Sequence, residues 1–523
     1  MSIIVPTHDS PTAVGDAERV TPPAGGPPRA SGSRRVSAAA RAMAPEVIDA
    51  VDRARHAQIA WGVLSPRARA RYLRRARRLL VDRMDEVAAT IREETGKPRI
   101  EALSHEVLNV LNLIRVTERA APRVLRRRRV GTGLILSKSA FKQYEPLGVI
   151  AVISPWNFPF MLPALPLVQA LAGGNGVVVK PSELTPRSGR LLVALFQDAL
   201  ADFPGLVQVV EGDGTVGAAL VQAGVDKIAF IGGGPTGKRV LQGAAEMLTP
   251  VVLELGGNDA AIICEDADLE RAARGVAWGA MANAGQCCIG IERALVCESV
   301  HDRFVTALEA EVARLKVGTG EDDDVSRLTF APQRAILDRL VADAEAKGAR
   351  IVRMPLPAGG SPDLYPPTII LGATADMEVN RSEAFGPILS VLKVRDEDEA
   401  VALNNDGLYG LSPSVWTGSR ARARRLADRL HAGFITINDH LIGFAFPGLP
   451  YGGVKESGFG RLMGDDGLLE FVRVKSVTGA RLTFAREPHW FPYRPRDVAV
   501  LRAVMRIWFR PGLAGRIRAL FGG

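Results

Sequence analysis

The chain is poor in cysteine, and it contains no long uninterrupted apolar run. It has four cysteines in 523 residues: Cys264, Cys287, Cys288 and Cys297. So few cysteines in so long a chain do not make a disulfide scaffold, and they suit a reducing compartment where a free thiol survives. No stretch of about 18 consecutive apolar residues occurs, so no transmembrane helix is predicted. We therefore expect a cytoplasmic protein.

Histidine is also scarce, with seven residues that show no spacing typical of metal ligands. The sequence therefore predicts no metal site. The N-terminal region lacks the apolar central stretch of a signal peptide, since Pro, Gly, Ser and Arg dominate residues 20–37. We expect residues 1–36 to form a disordered leader.

Positive charge is in excess, but it is unevenly placed. The net charge is +9, and residues 481–523 hold nine arginines against Glu487 and Asp497. A second basic run comprises Arg123 and residues 126–129. An evenly basic surface would indicate nucleic acid binding, whereas a basic tail on a nearly neutral body indicates an acidic membrane surface or partner. We therefore predict no nucleic acid ligand.

Strand and helix patterns alternate along most of the chain. Short apolar strands are predicted at 147–153, 176–180, 206–211 and 227–231, with helices at 185–200 and 216–223. Alternation of this kind predicts an α/β fold with a parallel, doubly wound sheet. A second alternation from about residue 256 to 449 predicts a separate α/β unit.

Three segments carry residue types suited to covalent chemistry on a carbonyl carbon. Cys288 ends the segment GQCC at 285–288, and Glu254 lies 34 residues before it in LELGG. A thiolate can attack the carbonyl, and a carboxylate can then take a proton from water. Asn157, in the segment ISPWNFP, can donate a hydrogen bond to the oxyanion that forms.

These segments, with five further motifs, resemble the NAD(P)-dependent aldehyde dehydrogenase superfamily over about residues 40–480. The further motifs are ETGK at 94–97, KPSE at 180–183, FIGGGPTG at 230–237, EAFGP at 383–387 and the segment 451–461. The resemblance implies an NAD-binding domain at 37–255, with an oligomerisation hairpin at about 128–146, and a catalytic domain at 256–449. A return segment with a small β oligomerisation strand follows at 450–480, and the basic amphipathic tail occupies 481–523.

The resemblance also assigns the catalytic roles. The pattern Gly-Gln-x-Cys selects Cys288 over Cys287 as the nucleophile. Asn157 and the backbone N–H of Cys288 hold the oxyanion, hydride leaves for the nicotinamide, and Glu254 activates the water that releases the carboxylate.

Cofactor contacts are implied at a larger set of positions. They are Ser154, Pro155, Trp156, Lys180, Ser182, Glu183, Gly212, Gly233, Gly237, Leu255, Glu383 and Phe385. A carboxylate at Glu183 can accept from ribose hydroxyls and repels a 2′-phosphate, which predicts NAD rather than NADP. Ile231, Gly233 and Asn258 depart from the family pattern; the first two remove hydroxyls that commonly meet the pyrophosphate.

Substrate contacts are implied at Phe158, Met161, Ile289 and Phe444, all apolar. They favour an apolar aldehyde, aliphatic or aromatic, although the same residues could be domain core. A semialdehyde such as succinate semialdehyde is the alternative within the family. From other classes, the alternatives are an esterase that does not use NAD and a non-catalytic membrane-associated protein.

Two predictions concern partners. The strand at 472–477 resembles one that extends a neighbouring subunit's sheet beside a hairpin at 134–143, which predicts a homodimer or homotetramer. In the tail, Arg502, Arg506 and Arg510 share one helix stripe, and Val498, Leu501, Met505 and Trp508 share another. Residues 497–521 could therefore lie in an anionic membrane interface, or their apolar face could pack on the enzyme.

Overall fold

A computed structural model describes residues 44–487 and 489–509 of the chain. The leader predicted at 1–36 and the last part of the tail lie outside these residues. The first described helix begins at Pro45, where the sequence pattern places a helix start. Among the described residues, no helix combines the length and apolar character that crossing a bilayer requires.

Helices and strands alternate in the order expected of an α/β fold. The helices are α1 (Pro45–Gly62), α2 (Pro66–Asp82), α3 (Met84–Thr95), α4 (Arg99–Glu101), a π-helical stretch (Ala102–Leu108), α5 (Asn109–Val124), α6 (Met161–Gly173), α7 (Pro186–Ala199), α8 (Gly214–Val221), α9 (Gly234–Glu246), α10 (Leu269–Met281), α11 (His301–Val312), α12 (Gln333–Ala346), α13 (Glu397–Asp406), α14 (Arg420–Ala427), α15 (Gly464–Glu470) and α16 (Pro495–Phe509). The strands are β1 (Arg128–Val130), β2 (Lys138–Pro146), β3 (Val149–Ile153), β4 (Gly176–Lys180), β5 (Val207–Val209), β6 (Lys227–Ile231), β7 (Val251–Glu254), β8 (Asp259–Ile263), β9 (Ile291–Cys297), β10 (Arg350–Arg353), β11 (Thr368–Leu371), β12 (Ile388–Val394), β13 (Ser414–Trp416), β14 (Thr436–Ile437), β15 (Gly458–Phe459) and β16 (Val472–Ala480).

The first sheet has the strand order β15-β7-β6-β3-β4-β5 and is parallel except for β15. Every residue of β3, β4 and β6 is buried, as expected for apolar strands covered on both faces by helices. The chain leaves β3 in one direction, to β4 and β5, and then returns to β6 on the other side of β3. This reversal leaves a crevice at the carboxyl ends of β3 and β6, the usual ligand position in a doubly wound sheet.

The second sheet has the order β10-β11-β12-β9-β8-β13-β14 and is parallel except for β10. It has its own apolar core, built from β8, β9, β11 and β12 with the helices that cover them. The α/β class with doubly wound parallel sheets, predicted from the sequence, is therefore confirmed. The domain boundaries themselves remain a prediction.

A third sheet is small and antiparallel, with the order β1-β2-β16. It joins the predicted hairpin and the predicted late strand within one chain. Strand β16 pairs with β2 of its own chain along nine residues, Val472 opposite Pro146 through Ala480 opposite Lys138. The hairpin of β1 and β2 spans residues 128–146, the range that the sequence predicts. Assembly into a dimer or tetramer remains a prediction.

A buried ion pair joins the N-terminal helices to the loop after β3. Lys97 and Glu106 have fully buried side chains, with Nζ 2.7 Å from Oε1. Lys97 also donates to the carbonyl oxygen of Asn157 at 2.8 Å, and Glu106 accepts from the backbone N–H groups of Phe160 and Met161. The pair thus satisfies backbone groups that would otherwise be buried without partners.

Glu106→Ala should destabilise the protein by roughly 3–5 kcal/mol, because it leaves the Lys97 ammonium buried without its counter-ion. The nearby pair Arg99–Asp85 is exposed, so Arg99→Ala serves as the matched control and should cost under about 1 kcal/mol. Thermal and urea unfolding of both variants would measure the difference. Equal losses would contradict the role given to the buried pair.

Candidate active site

Cys288 follows a backbone turn that only certain residues can form. Asn283, Ala284 and Gly285 have φ values of 53°, 55° and 68°, all in the left-handed region. A Cβ on Gly285 would overlap the carbonyl group of Gly386, so this position requires glycine. The glycine of the Gly-Gln-Cys-Cys segment is thus explained by backbone conformation and close packing.

Two side chains hold this turn in place. The carboxylate of Glu101 accepts from the backbone N–H of Asn283 at 2.9 and 3.1 Å, and burial raises the pKa of Glu101 to about 7. Gln286 donates to the carbonyl of Asn283 at 2.9 Å and accepts from the backbone N–H of Thr329 at 2.7 Å. In the sequence, Gln286 served only to identify which cysteine of the Gly-Gln-x-Cys pattern is the nucleophile. No feature of the sequence indicated a role for Glu101.

The two adjacent cysteines have different surroundings. Cys287 is buried in the apolar core, whereas Cys288 is partly exposed and lines a cleft of ≈ 680 Å³. A hydrogen bond from the Cys287 thiol lowers the pKa of Cys288, and burial opposes this shift. Burial and the same contact raise the pKa of Cys287. The surroundings therefore favour a thiolate at Cys288, the cysteine that the sequence register selects.

Tyr451 is a residue near the thiol that was missing from the predicted site. Its hydroxyl lies 3.5 Å from Cys288 Sγ, and its ring packs on Phe444 at 4.6 Å between centroids. This contact also lowers the pKa of Cys288. The 163 residues between Tyr451 and Cys288 explain why spacing gave no signal. The tyrosine itself, at the start of the segment 451–461, was the only available clue.

Asn157 is locked beside the Cys288 turn. Its side-chain Nδ2 donates to the backbone carbonyl of Gln286 at 3.0 Å. Its backbone carbonyl oxygen accepts from Asn283 Nδ2 at 3.0 Å. The residue is 2% exposed, and its Oδ1 has no hydrogen-bond partner among the described residues. The second N–H of this amide is the group that could meet an oxyanion near Cys288.

Glu254 ends β7 and lines the same cleft. It is 3% exposed, and neither carboxylate oxygen is hydrogen-bonded within the described structure. Burial raises the pKa of Glu254 well above its ordinary value, and the nearby Cys288 thiolate raises it further. A buried carboxyl group without partners is a candidate proton acceptor.

The two glycines after Leu255 allow close packing around the thiol. A Cβ on Gly256 would overlap the Glu383 carboxylate, and one on Gly257 would overlap the Cys288 carbonyl oxygen. The backbone N–H of Gly257 donates to Glu383 Oε1 at 3.1 Å. The Leu-Gly-Gly motif therefore brings the end of β7, the nucleophile segment and Glu383 together.

The cleft at Cys288 is continuous with the crevice above β3 and β6. Six of the twelve predicted cofactor residues line it: Pro155, Trp156, Gly233, Leu255, Glu383 and Phe385. The start of α9 also faces it, and a Cβ on Gly233 or Gly234 would meet no atom within 4 Å. Bare backbone at a helix N-terminus suits a pyrophosphate, so these residues fit a dinucleotide. Gly233 also has room for the serine of the family pattern, so steric crowding does not explain that departure.

The other six predicted cofactor residues are placed around the same sheet edge without lining the cleft. Ser154, Lys180, Ser182, Glu183 and Gly212 lie at or just beyond the ends of β3, β4 and β5, and Gly237 lies in the first turns of α9. Lys180 is buried and pairs with the half-exposed Glu183 at 3.2 Å. Gly237 packs closely on Leu255, where a Cβ would be 2.6 Å from Cδ2.

The predicted substrate residues share one apolar environment. Phe158, Met161, Ile289 and Phe444 are each at most 5% exposed and belong to the core cluster that includes Tyr451. Cys288 packs against this cluster. None of the four lines the cleft at Cys288, so the structure shows them as buried core and their contact with substrate stays a prediction.

Asn258, a departure from the family pattern, holds a buried acid. Its amide donates to Glu292 Oε2 at 2.7 Å and to the carbonyl of Val379 at 3.1 Å. Glu292 in turn accepts from the backbone N–H groups of Ala384 and Phe385, and burial raises its pKa to about 7. This chain of contacts fixes the backbone next to Glu383. No group of three or more potential metal ligands occurs within 44–487 and 489–509.

Comparison with known proteins gives the family. Residues 30–477 match the model of the aldehyde dehydrogenase family. A "4,4'-diapolycopene aldehyde oxidase" from Methylomonas sp is 42% identical over 84% of this chain and 83% of its own. An NAD-dependent aldehyde dehydrogenase from Sinorhizobium meliloti is 33% identical, with a TM-score of 0.80 over 86% of this chain and 89% of its own. An NADP dependent enzyme from E. coli is 31% identical, with a TM-score of 0.80 over 84% and 90%. The chain therefore belongs to the aldehyde dehydrogenase family.

Proposed function

We propose that this protein oxidises an apolar aldehyde to its carboxylate with NAD, through a thioester on Cys288. The observation that carries the proposal is the single cleft that Cys288, Glu254 and Asn157 line together with the glycine-rich start of α9. One cleft thus offers a nucleophile, a base and an oxyanion donor beside a dinucleotide-sized crevice.

The chain's own residues account for the acylation step. The Cys288 thiolate attacks the aldehyde carbon, and the oxygen of the tetrahedral adduct accepts a hydrogen bond from the Asn157 amide. A bound NAD supplies the acceptor for the hydride that leaves, with Trp156, Gly233, Glu383 and Phe385 among the residues that would hold it. A thioester on Cys288 then remains.

The deacylation step belongs to Glu254. In the free enzyme, burial and the Cys288 thiolate both keep its pKa high. Thioester formation removes the thiolate charge, so the pKa of Glu254 falls when a base is needed. Glu254 can then take a proton from the attacking water. Because the base must be ionised, the rate of deacylation should rise with pH through the raised pKa of Glu254.

NAD is proposed over NADP from the position of Glu183. Its carboxylate follows β4 and is half-exposed, so it can accept from ribose hydroxyls and would repel a 2′-phosphate. The pairing with Lys180 reduces this repulsion without removing it. Similar structures include both an NAD-dependent and an NADP dependent enzyme, so their names alone do not select the cofactor.

An apolar substrate is proposed from the residues around the thiol. Cys288 packs against a buried apolar cluster that includes Phe158, Met161, Ile289 and Phe444. The Methylomonas relative is named as a 4,4'-diapolycopene aldehyde oxidase. We extend that substrate class, a long apolar aldehyde, to this chain.

The activity and its nucleophile are tested together. Wild-type enzyme should form NADH with long apolar aldehydes faster than with semialdehydes, and should prefer NAD to NADP in kcat/KM. Cys288→Ala should abolish NADH formation and any esterase activity. The matched variant Cys287→Ala keeps the nucleophile and should retain most of both, with its pH profile moved to higher pH because the hydrogen bond that lowers the pKa of Cys288 is lost. Activity that survives in Cys288→Ala would exclude the mechanism.

The base is tested by separating the two half-reactions. Glu254→Gln should keep a burst of NADH of about one equivalent and lose roughly 10²–10⁴-fold in steady-state rate, because it removes general-base catalysis of hydrolysis. Stopped-flow absorbance would record both phases. An unchanged steady-state rate would remove Glu254 from the mechanism.

Tyr451 is expected to position the nucleophile and to stabilise its charge. Tyr451→Phe keeps the ring that packs on Phe444 but removes the hydroxyl beside Cys288. The pKa of Cys288 should therefore rise, and its alkylation by iodoacetamide should shift to higher pH. Phe444→Leu, which alters packing but no donor, is the control and should leave that pH profile in place. An identical profile in Tyr451→Phe and wild type would show that the hydroxyl has no influence on the thiol.

A further inference from the structure

Two exposed segments that are far apart in sequence meet at the small antiparallel sheet. The loop between β1 and β2 covers residues 131–137, and the C-terminal segment begins after β16. The backbone N–H groups of Arg481 and Leu482 both donate to the carbonyl of Ser137, at 2.7 and 3.1 Å. Lys138 pairs with Glu487, which is only 5% exposed. Residues 131–137, 482–487 and 489–509 are called the hairpin–tail surface below.

Large apolar side chains are concentrated on this surface. Fourteen are 39–77% exposed: Leu134, Ile135, Leu136, Leu482, Phe484, Trp490, Phe491, Tyr493, Val498, Val500, Leu501, Met505, Trp508 and Phe509. Helix α16 has no buried residue, so its described part does not pack on the body of its own chain, and packing on a partner subunit is the alternative that remains. Exposed apolar side chains in this number, concentrated in two segments that meet at one sheet, mark an interaction site.

The same surface is strongly basic. Its two acids are already paired, Glu487 with Lys138 and Asp497 with Arg486. Arg494, Arg496, Arg502 and Arg506 form no ion pair within the described ranges, which leaves an excess of positive charge among the apolar side chains. The neighbouring strand β1 adds Arg128 and Arg129 to the same sheet.

We propose that the hairpin–tail surface docks the protein onto an anionic lipid surface. Exposed aromatic residues such as Trp490, Tyr493 and Trp508 suit the interfacial region of a bilayer, and arginines suit its anionic head groups. Helix α16 is amphipathic and 15 residues long, so it would lie in the interface and would not span the bilayer.

A second copy of the chain fits this surface less well. A two-fold interface places the same patch on both partners, so it would bring the unpaired arginines opposite one another. Like charges facing each other across an interface are costly, whereas an anionic lipid surface complements them. Charge therefore favours lipid as the occupant.

Docking does not depend on the proposed function, because it concerns surface residues away from the cleft. If the apolar aldehyde is the substrate, docking would also place the enzyme where such a molecule dissolves. Binding can accordingly be measured without any reference to activity.

The experiment uses the full chain with sucrose-loaded vesicles of phosphatidylcholine, with and without phosphatidylglycerol. The protein should sediment with anionic vesicles at low salt, and binding should weaken about tenfold or more with high salt or neutral vesicles. Two double variants test the surface: Arg502→Glu with Arg506→Glu, and Trp490→Ser with Phe491→Ser. Each should weaken binding about tenfold or more while the enzyme keeps its activity.

Arg71→Glu with Arg75→Glu, at exposed positions on α2, changes the charge equally and should leave binding in place. Failure of the wild-type protein to sediment with anionic vesicles would overturn the proposal. Equal weakening by the α2 control would also overturn it, since attraction would then be general. Light scattering tests the other possible occupant of the surface, a second copy of the chain. A smaller assembly in the Trp490 and Phe491 variant, without vesicle binding by wild type, would assign the surface to a second copy.

Discussion

The Lys97–Glu106 ion pair is the constraint on which the reaction centre depends. Taking two charges out of water is costly, and the pair persists because its remaining hydrogen-bonding groups meet the backbone. Those backbone groups belong to the loop after β3, at Asn157, Phe160 and Met161. The same Asn157 carbonyl also accepts from Asn283, on the turn before the nucleophile. One buried contact therefore fixes the oxyanion donor relative to the thiol segment.

Glycines set the distances between the backbone segments around Cys288. At Gly256, Gly257 and Gly285 a methyl group would overlap a carboxylate or a carbonyl of another segment, so the segments approach to backbone distance. Stiff backbone at close range holds catalytic groups better than long side chains would, because little freedom remains to be lost on binding. The close packing of the site thus requires the glycines of the sequence motifs.

The sequence predicted the fold class, and its motifs grouped Cys288, Glu254 and Asn157, which line one cleft in the structure. Asn157 follows β3 and Glu254 ends β7, whereas Cys288 follows the turn after α10. Contacts between segments that are far apart in the chain could not be predicted from the sequence. The hydroxyl of Tyr451 reaches Cys288 across 163 residues, and no periodicity records such an approach. The late strand does pair with the predicted hairpin, but the sequence did not give the register, Val472 opposite Pro146 through Ala480 opposite Lys138.

Charge distribution explains how one cleft can hold a nucleophile and a base that must each be ionised, but in different steps. The hydrogen bonds from Cys287 and Tyr451 favour an ionised thiol at Cys288, while burial favours a neutral Glu254. Two adjacent negative charges in this dry cleft would be costly, so the thiolate itself helps to keep Glu254 protonated. When the thiol becomes acylated, the negative charge at sulfur disappears and the carboxyl can ionise. In the proposed mechanism each group is then charged in the step where its charge is used, because their mutual repulsion keeps them from being charged together.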